Sequence, residues 1–168
     1  MPMTSRRKGK EGELLIGRWL AQAWYGQVHK GRTVFVRTKG GVRQDSGDLT
    51  VPDDFPALVE VKNTILHPFK DRFFLAQVAQ DLIHKALKQG KLFGLVFFRL
   101  DKKTFGVLLV AAASKEANMG DVPQILLEVN GLVGQFLTLP ELQEAYISEW
   151  SGKVKRVTRR LRRREGLP

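Results

Sequence analysis

The chain has 168 residues, 43% of them hydrophobic and none in a long low-complexity tract, so it has enough length for one domain with its own core. Its formal net charge of +11 and isoelectric point near 10.2 imply a polyanionic partner, either nucleic acid or an anionic membrane surface. The absence of cysteine excludes disulfides, thiolate catalysis and cysteine zinc sites, and no apolar run is long enough to span a bilayer.

The opening decapeptide, MPMTSRRKGK, lacks the apolar segment of a signal peptide, which makes the cytoplasm the expected location. Residues 1–10 are small and basic. They read as an arm that could lie along phosphates, or as a solvated tail. Residues 11–150 are expected to form the folded domain and 151–168 a basic C-terminal tail.

From Lys10 to about Trp24 the spacing is helical, with Ile16, Leu20 and Ala23 on one stripe and Leu15 and Trp19 broadening it. Glu13 heads that stripe, so its carboxylate points inward and needs a partner: a metal, a lysine at a metal site, or the positive end of the helix dipole. A strand is expected over Thr33 to Thr38. The loop that follows carries glycines at 40 and 41 and leads into Asp48.

The stretch SGDLTVPDDFPALVEVKN, from Ser46 to Asn63, holds two β-type runs, Asp48 to Val51 and Ala57 to Lys62, divided by a Pro/Asp/Phe/Pro turn. Alternation puts Glu60 and Lys62 on one face of the second strand and Val59 and Val61 on the other. Closing the hairpin brings Asp48 back beside them. Two carboxylates and one lysine then share a surface, which suits Mg²⁺ (with Mn²⁺ as a substitute) and a metal-assisted attack of water on a phosphodiester. An exposed strand face laced with cross-strand ion pairs is the plainer alternative.

A helix is expected from about Asp71 to Gln89, with Phe74, Val78, Leu82 and Ala86 on its buried face, Gly90 as its stop and Gln77 at the edge nearest a site. Leu92 to Leu100 and Phe105 to Ala113 read as two buried strands joined through Asp101 to Thr104. Asn130-Gly131 marks a hairpin between Gln124 to Val129 and Leu132 to Leu137, with a short helix across Pro123 to Val129 as the alternative. Thr138 caps a helix from Leu139 to about Trp150, with Pro140 in its first turn. The run from Lys153 to Arg164 is a basic helix, or an arm that folds on a polyanion. Its apolar seam is too thin for stable membrane insertion.

Arg7-Lys8-Gly9 before Glu13, then Val36-Arg37-Thr38, Gly47-Asp48-Leu49 and Glu60-Val61-Lys62, in that order, resemble the archaeal-type Holliday junction resolvases of the PD-(D/E)XK nuclease superfamily, which has phage and bacterial members. The resemblance covers about the first half of the chain. It implies an α/β fold, a restriction-endonuclease-like mixed β-sheet flanked by helices in a single domain. It also implies a homodimeric, Mg²⁺-dependent endonuclease that makes paired nicks in four-way DNA junctions, in the cytoplasm or, for a phage protein, the host's cytoplasm.

On that resemblance Glu13, Asp48 and Glu60 are the metal ligands and Lys62 the catalytic lysine. Ser46 is the nearest candidate for a serine in the loop before the aspartate. Arg6, Arg7, Lys8, Lys10, Arg37, Lys39, Arg43 and Gln77 are expected to contact DNA. Leu15 departs from the pattern, standing where many members carry a second glutamate. Two other classes stay open: a repair or restriction-like nuclease of the same superfamily, and a basic DNA-binding protein without catalysis.

Overall fold

The computed structural model describes residues 5–26, 35–38, 47–112, 125–129, 132–152, 160, 163–164 and 166. Ser46, Lys39, Arg43, the Asn130-Gly131 turn and most of the basic tail lie outside these residues, as does the side chain of Arg6.

Helix α1 spans Ser5–Tyr25. It begins well before the expected Lys10, so Arg7, Lys8 and Lys10 lie in its first turns. Arginine and lysine are good helix formers, and Gly9 alone does not break the run. Gly26, with φ +71°, ends the helix and its amide donates to the Gln22 carbonyl at 2.8 Å. Ile16, Leu20 and Trp24 are buried at the i, i+4 spacing, with Glu13 buried one turn ahead of them. Leu15, expected to widen the stripe, is 42% exposed.

The strands are β1 (Val36–Arg37), β2 (Leu49–Thr50), β3 (Ala57–Ile65), β4 (Phe93–Arg99), β5 (Phe105–Ala112), β6 (Ile125–Val129) and β7 (Leu132–Thr138). They form one seven-stranded sheet in the order β1-β2-β3-β4-β5-β7-β6. β3 and β4 pair in parallel and the other neighbours pair antiparallel. The parallel pair needs a crossover, and helix α2 (Arg72–Lys88) supplies it. The β4–β5 connection is a tight turn in which Asp101 Oδ1 accepts from the amides of Lys103 and Thr104, both at 2.7 Å. β6 and β7 pair from Val129–Leu132 outward, so Ile125–Val129 is the strand and not the short helix.

Thr138 closes β7 and opens helix α3 (Leu139–Leu142) with reciprocal caps: its hydroxyl accepts from the Glu141 amide at 3.3 Å, and Glu141 Oε1 accepts from the Thr138 amide at 3.0 Å. The helix widens into a π turn over Gln143–Ile147 and continues to residue 152.

Strand alternation divides the core into two layers. Phe55, Val59, Val61, Leu95, Phe97, Val107 and Leu109 pack beneath α1 and α3, whereas Leu58, Val96, Phe98, Leu108 and Val110 pack beneath α2. The buried face of α2 is Leu75, Ala76, Ala79, Leu82, Ile83 and Ala86; of the expected stripe Leu82 and Ala86 are in it and Val78 packs against it, whereas Phe74 is not. The helix offers two overlapping apolar stripes. The one rich in alanine lets the backbone approach the sheet, where Leu82 lies so close to Gly94 that a Cβ there would stand 3.2 Å from it. Phe73 and Phe74 are consequently left 71% and 52% exposed. The whole is a single α/β domain, a mixed sheet flanked by helices on both faces, consistent with the restriction-endonuclease-like plan.

Candidate functional site

The site is built where β2 meets β3. Leu49 faces Val59 across the antiparallel pair, and both belong to the layer under α1. The residue before Leu49 therefore turns to the α2 side, where Glu60 and Lys62 also lie with Leu58. Three hydrogen bonds fix Asp48. Its amide donates to the Val59 carbonyl at 2.9 Å and its carbonyl accepts from the Thr38 amide at 2.9 Å, while its Oδ2 accepts from the Val61 amide at 2.9 Å.

Gly47 makes this approach possible. Its φ is +73°, a region that side chains rarely occupy, and a Cβ added to it would lie 2.7 Å from the Val59 carbonyl oxygen. In the sequence this glycine stands out only as a member of the Gly47-Asp48-Leu49 motif.

Glu60 is largely buried, with 18% of its side chain exposed, and Lys62 Nζ stands 3.4 Å from its Oε1. Burial first, and the Asp48 charge second, push the Glu60 carboxyl above its ordinary value, against the opposing pull of Lys62 and Lys85. Two carboxylates are thus held close enough to repel each other, with two ammonium groups only partly offsetting them. Lys85 was not expected here. Its signal is its place on α2, beside buried Ala86 and three residues after buried Leu82. Gln77, the expected α2 contributor, is exposed and donates from Nε2 to Asp81 Oδ1 at 3.2 Å, one turn along its own helix.

Glu13 does not join this pair. Arg37 stands opposite Leu49, so register turns its side chain to the α1 side, where Arg37 Nε donates to Glu13 Oε2 in a short ion pair. Among the described residues no three His, Asp or Glu side chains are grouped to hold a metal ion. The structure brings Asp48, Glu60 and Lys62 together and sets Glu13 with Arg37 across the sheet. Arg7, Lys8 and Lys10 are exposed along the first turns of α1. No helix among the described residues is long and apolar enough to cross a membrane.

The donor set fits a hard divalent cation: both carboxylates are oxygen donors on one face, and among the described residues Asp48 has engaged only Oδ2. A cation between them would offset the Asp48 repulsion that adds to the effect of burial on Glu60. Compared with protein-family models, with curated proteins and with solved structures, the chain matches none.

Proposed function

We propose that this protein is a DNA endonuclease that hydrolyses phosphodiesters at four-way junctions with the help of Mg²⁺ or Mn²⁺. The observation that carries the proposal is the placement of Asp48, Glu60 and Lys62 on one sheet face, with the Asp48 carboxylate tethered to the backbone of the strand that bears the other two. A divalent ion held by Asp48 and Glu60 would polarise the phosphodiester and lower the pKa of bound water.

The chain's own groups do the rest. Lys62, beside Glu60, is placed to hold the attacking water by a hydrogen bond and to offset negative charge that grows on phosphorus-bound oxygens. Lys85 adds positive charge from the covering helix. The Glu13–Arg37 pair pins β1 to α1 and so steadies the sheet edge that carries Asp48. A net charge of +11 supplies sequence-independent attraction to a branched polyanion.

Paired nicks require two such sites related by a two-fold axis. Phe69, Phe73 and Phe74 are exposed before and within the first turn of α2, apolar surface of the kind that a second copy would cover.

The test is cleavage of a labelled four-way junction and of linear duplex with the same sequence, with Mg²⁺ and with chelator. Symmetric nicks in the junction alone, dependent on the ion and lost in Asp48→Asn, are the expected result. Equal cleavage of the linear duplex would point instead to a general nuclease of the same chemistry. Unimpaired activity in Asp48→Asn would defeat the assignment of the site.

A further inference from the structure

Beyond Lys62 the same strand runs into a second feature, a cleft of about 590 Å³ between the first turns of α1, the end of β3 and the β4–β5 turn. Lys8, Glu11, Asn63, Thr64, Arg99 and Lys102 line it. We propose that this cleft seats a backbone phosphate of the nucleic acid, a short way along the strand from the one being cut, with Arg99 as its anchor. The choice of DNA as ligand rests on the nuclease reading; the site itself rests on the geometry that follows.

Arg99 is held ready. Its Nε donates to Asn63 Oδ1, its Nη1 donates to the Lys102 carbonyl at 3.1 Å, and its guanidinium lies over the Phe105 ring, 4.4 Å from the centroid. A guanidinium has five N–H groups in a planar fork. These two bonds use two of them, and the rest remain for a planar or tetrahedral anion. Among the described residues no carboxylate pairs with Arg99, Lys8 or Lys102. Glu11 is a single exposed acid against three cations, so the cleft keeps a positive balance.

Asn63 is the organising residue. One end of its amide holds Arg99, and the other donates from Nδ2 to the Lys8 carbonyl at 2.5 Å, tying α1 to the end of β3. Gly12 is what lets the helix come this near, since a Cβ there would stand 2.8 Å from Asn63 Cβ. A buried or half-buried amide that bridges two elements and orients an arginine fixes a guanidinium in advance, so little side-chain entropy is lost when a phosphate arrives.

Position makes the cleft a neighbour of the carboxylate pair. Asn63 follows Lys62 directly, and at about 3.3 Å per residue the lining residues of β3 lie within roughly 10 Å of Lys62 along the strand. Asn63 meets α1 at Lys8 and Gly12, on the other face of the sheet from Lys62, so a chain of phosphates reaching both would pass around the end of β3.

The experiment is binding without divalent ion, measured by fluorescence anisotropy of a labelled junction over a series of chloride concentrations. The double variant Arg99→Gln/Lys102→Gln is compared with wild type and with a control of equal charge change, Arg18→Gln/Lys88→Gln, whose exposed residues lie on α1 and α2 away from the cleft. We expect the cleft variant to bind about 10-fold more weakly, with a slope of log affinity against log salt smaller by about 1 to 2, and the control to change less. Lys102→Gln alone, on an exposed turn, gives a partial effect that does not depend on refolding of β4.

Equal losses in cleft and control variants would overturn the proposal. Displacement of the junction by inorganic phosphate beyond that caused by chloride at the same ionic strength, seen in wild type and absent in the cleft variant, would support it. Because the readout is binding, failure here is distinct from failure of the nuclease reading, which shows as unimpaired cleavage by Asp48→Asn.

Discussion

The Asp48 carboxylate and the Val61 amide are bonded at 2.9 Å, so a side chain on one strand is registered against the backbone between Glu60 and Lys62 on the next. This bond uses Oδ2 and leaves the other oxygen for a further partner. Replacing Asp48 by asparagine keeps an oxygen that can accept from Val61, removes the charge and turns the other oxygen into an N–H donor. Asp48→Asn is therefore expected to melt within a few degrees of wild type and to bind a junction normally. Its ion-dependent nicking should fall by at least about 100-fold, the scale of losing one electrostatic contact in an active site. Thermal denaturation, anisotropy and a nicking assay on the same preparation check all three.

Glu60 gives a prediction that depends on pH. Burial and Asp48 raise its carboxyl above the ordinary value, so folding favours the protonated form. The stabilisation from a raised pKa is complete below the unfolded value and is lost as pH rises through the folded value. At neutral pH the ionised Glu60 is therefore a cost to the fold. Glu60→Gln should melt higher than wild type at pH 7, by about 2–4 °C for each kcal/mol recovered, and the gain should disappear in acid. The same shift means that cation binding and nicking should fail on acidification at a higher pH than a free carboxylate would set. Melting curves with and without Mg²⁺ at both pH values provide the check; an ion-induced rise in wild type should be absent in Glu60→Gln.

Gly47 is a structural requirement of the site. With φ at +73° and a carbonyl 2.7 Å from where a Cβ would sit, Gly47→Ala must either strain the backbone or push β2 from β3. The expected cost is about 1–3 kcal/mol in stability, and nicking should fall further than stability explains, because Asp48 is the next residue. Gly26→Ala is the control. It also has positive φ but meets nothing within 4 Å, so it should lose stability without a specific loss of activity.

Much of this site was legible in the sequence because a strand has a period of two. Glu60 and Lys62 had to share a face, and a turn at Pro52 to Pro56 had to bring Asp48 back beside them. The same rule, applied to β1, puts Arg37 on the opposite side and so withdraws Glu13 from the carboxylate pair, but that step needs the Arg37–Leu49 register, which no local pattern reveals. Leu82 and Ala86 are buried as the spacing predicts, but Phe74 falls off that face because the apolar residues of α2 support two overlapping stripes. Only the close approach to Gly94 selects the alanine-rich one. Asn63 and Arg99 carried no signal at all, being 36 positions apart in sequence and joined only through the parallel pairing of β3 with β4.

The exposed phenylalanines at the start of α2 set a test of assembly. Phe73 and Phe74, at 71% and 52% exposure, have no core role, so replacing them with aspartate should leave the monomer folded. If a two-fold pair of sites makes the paired nicks, Phe73→Asp/Phe74→Asp should sediment as a monomer at concentrations where wild type is a dimer, and should release single nicked junctions in place of resolved products. Sedimentation velocity beside the nicking assay reads both. A wild-type chain that is monomeric throughout would remove the symmetric mechanism.

Phe55 sits in the Pro/Asp/Phe/Pro turn, where a surface position would be expected, yet it is fully buried. Its ring meets those of Trp24, Phe35 and Trp150 edge-on, at 5.1, 5.0 and 5.8 Å, so α1, the strand edge at β1 and the C-terminal helix all converge on one turn residue. Lys91 holds that turn from the far side. Its Nζ donates to the Phe55 carbonyl at 2.7 Å and to the Pro52 carbonyl at 3.4 Å, and burial pulls its pKa below the ordinary lysine value despite the nearby Asp53 and Asp54 charges. Phe55→Ala should cost about 3–5 kcal/mol through lost burial and a cavity that three large rings cannot collapse to fill. The melting temperature should fall by roughly 10 °C or more. Because the turn sets the spacing of β2 against β3, that variant should also lose nicking at temperatures where it is still folded, whereas Phe73→Ala, an equal truncation on an exposed ring, should leave the melting temperature unchanged. Differential scanning calorimetry of the two variants, followed by cleavage assays well below the lower transition, separates a turn that only fills the core from one that also fixes Asp48 beside Glu60.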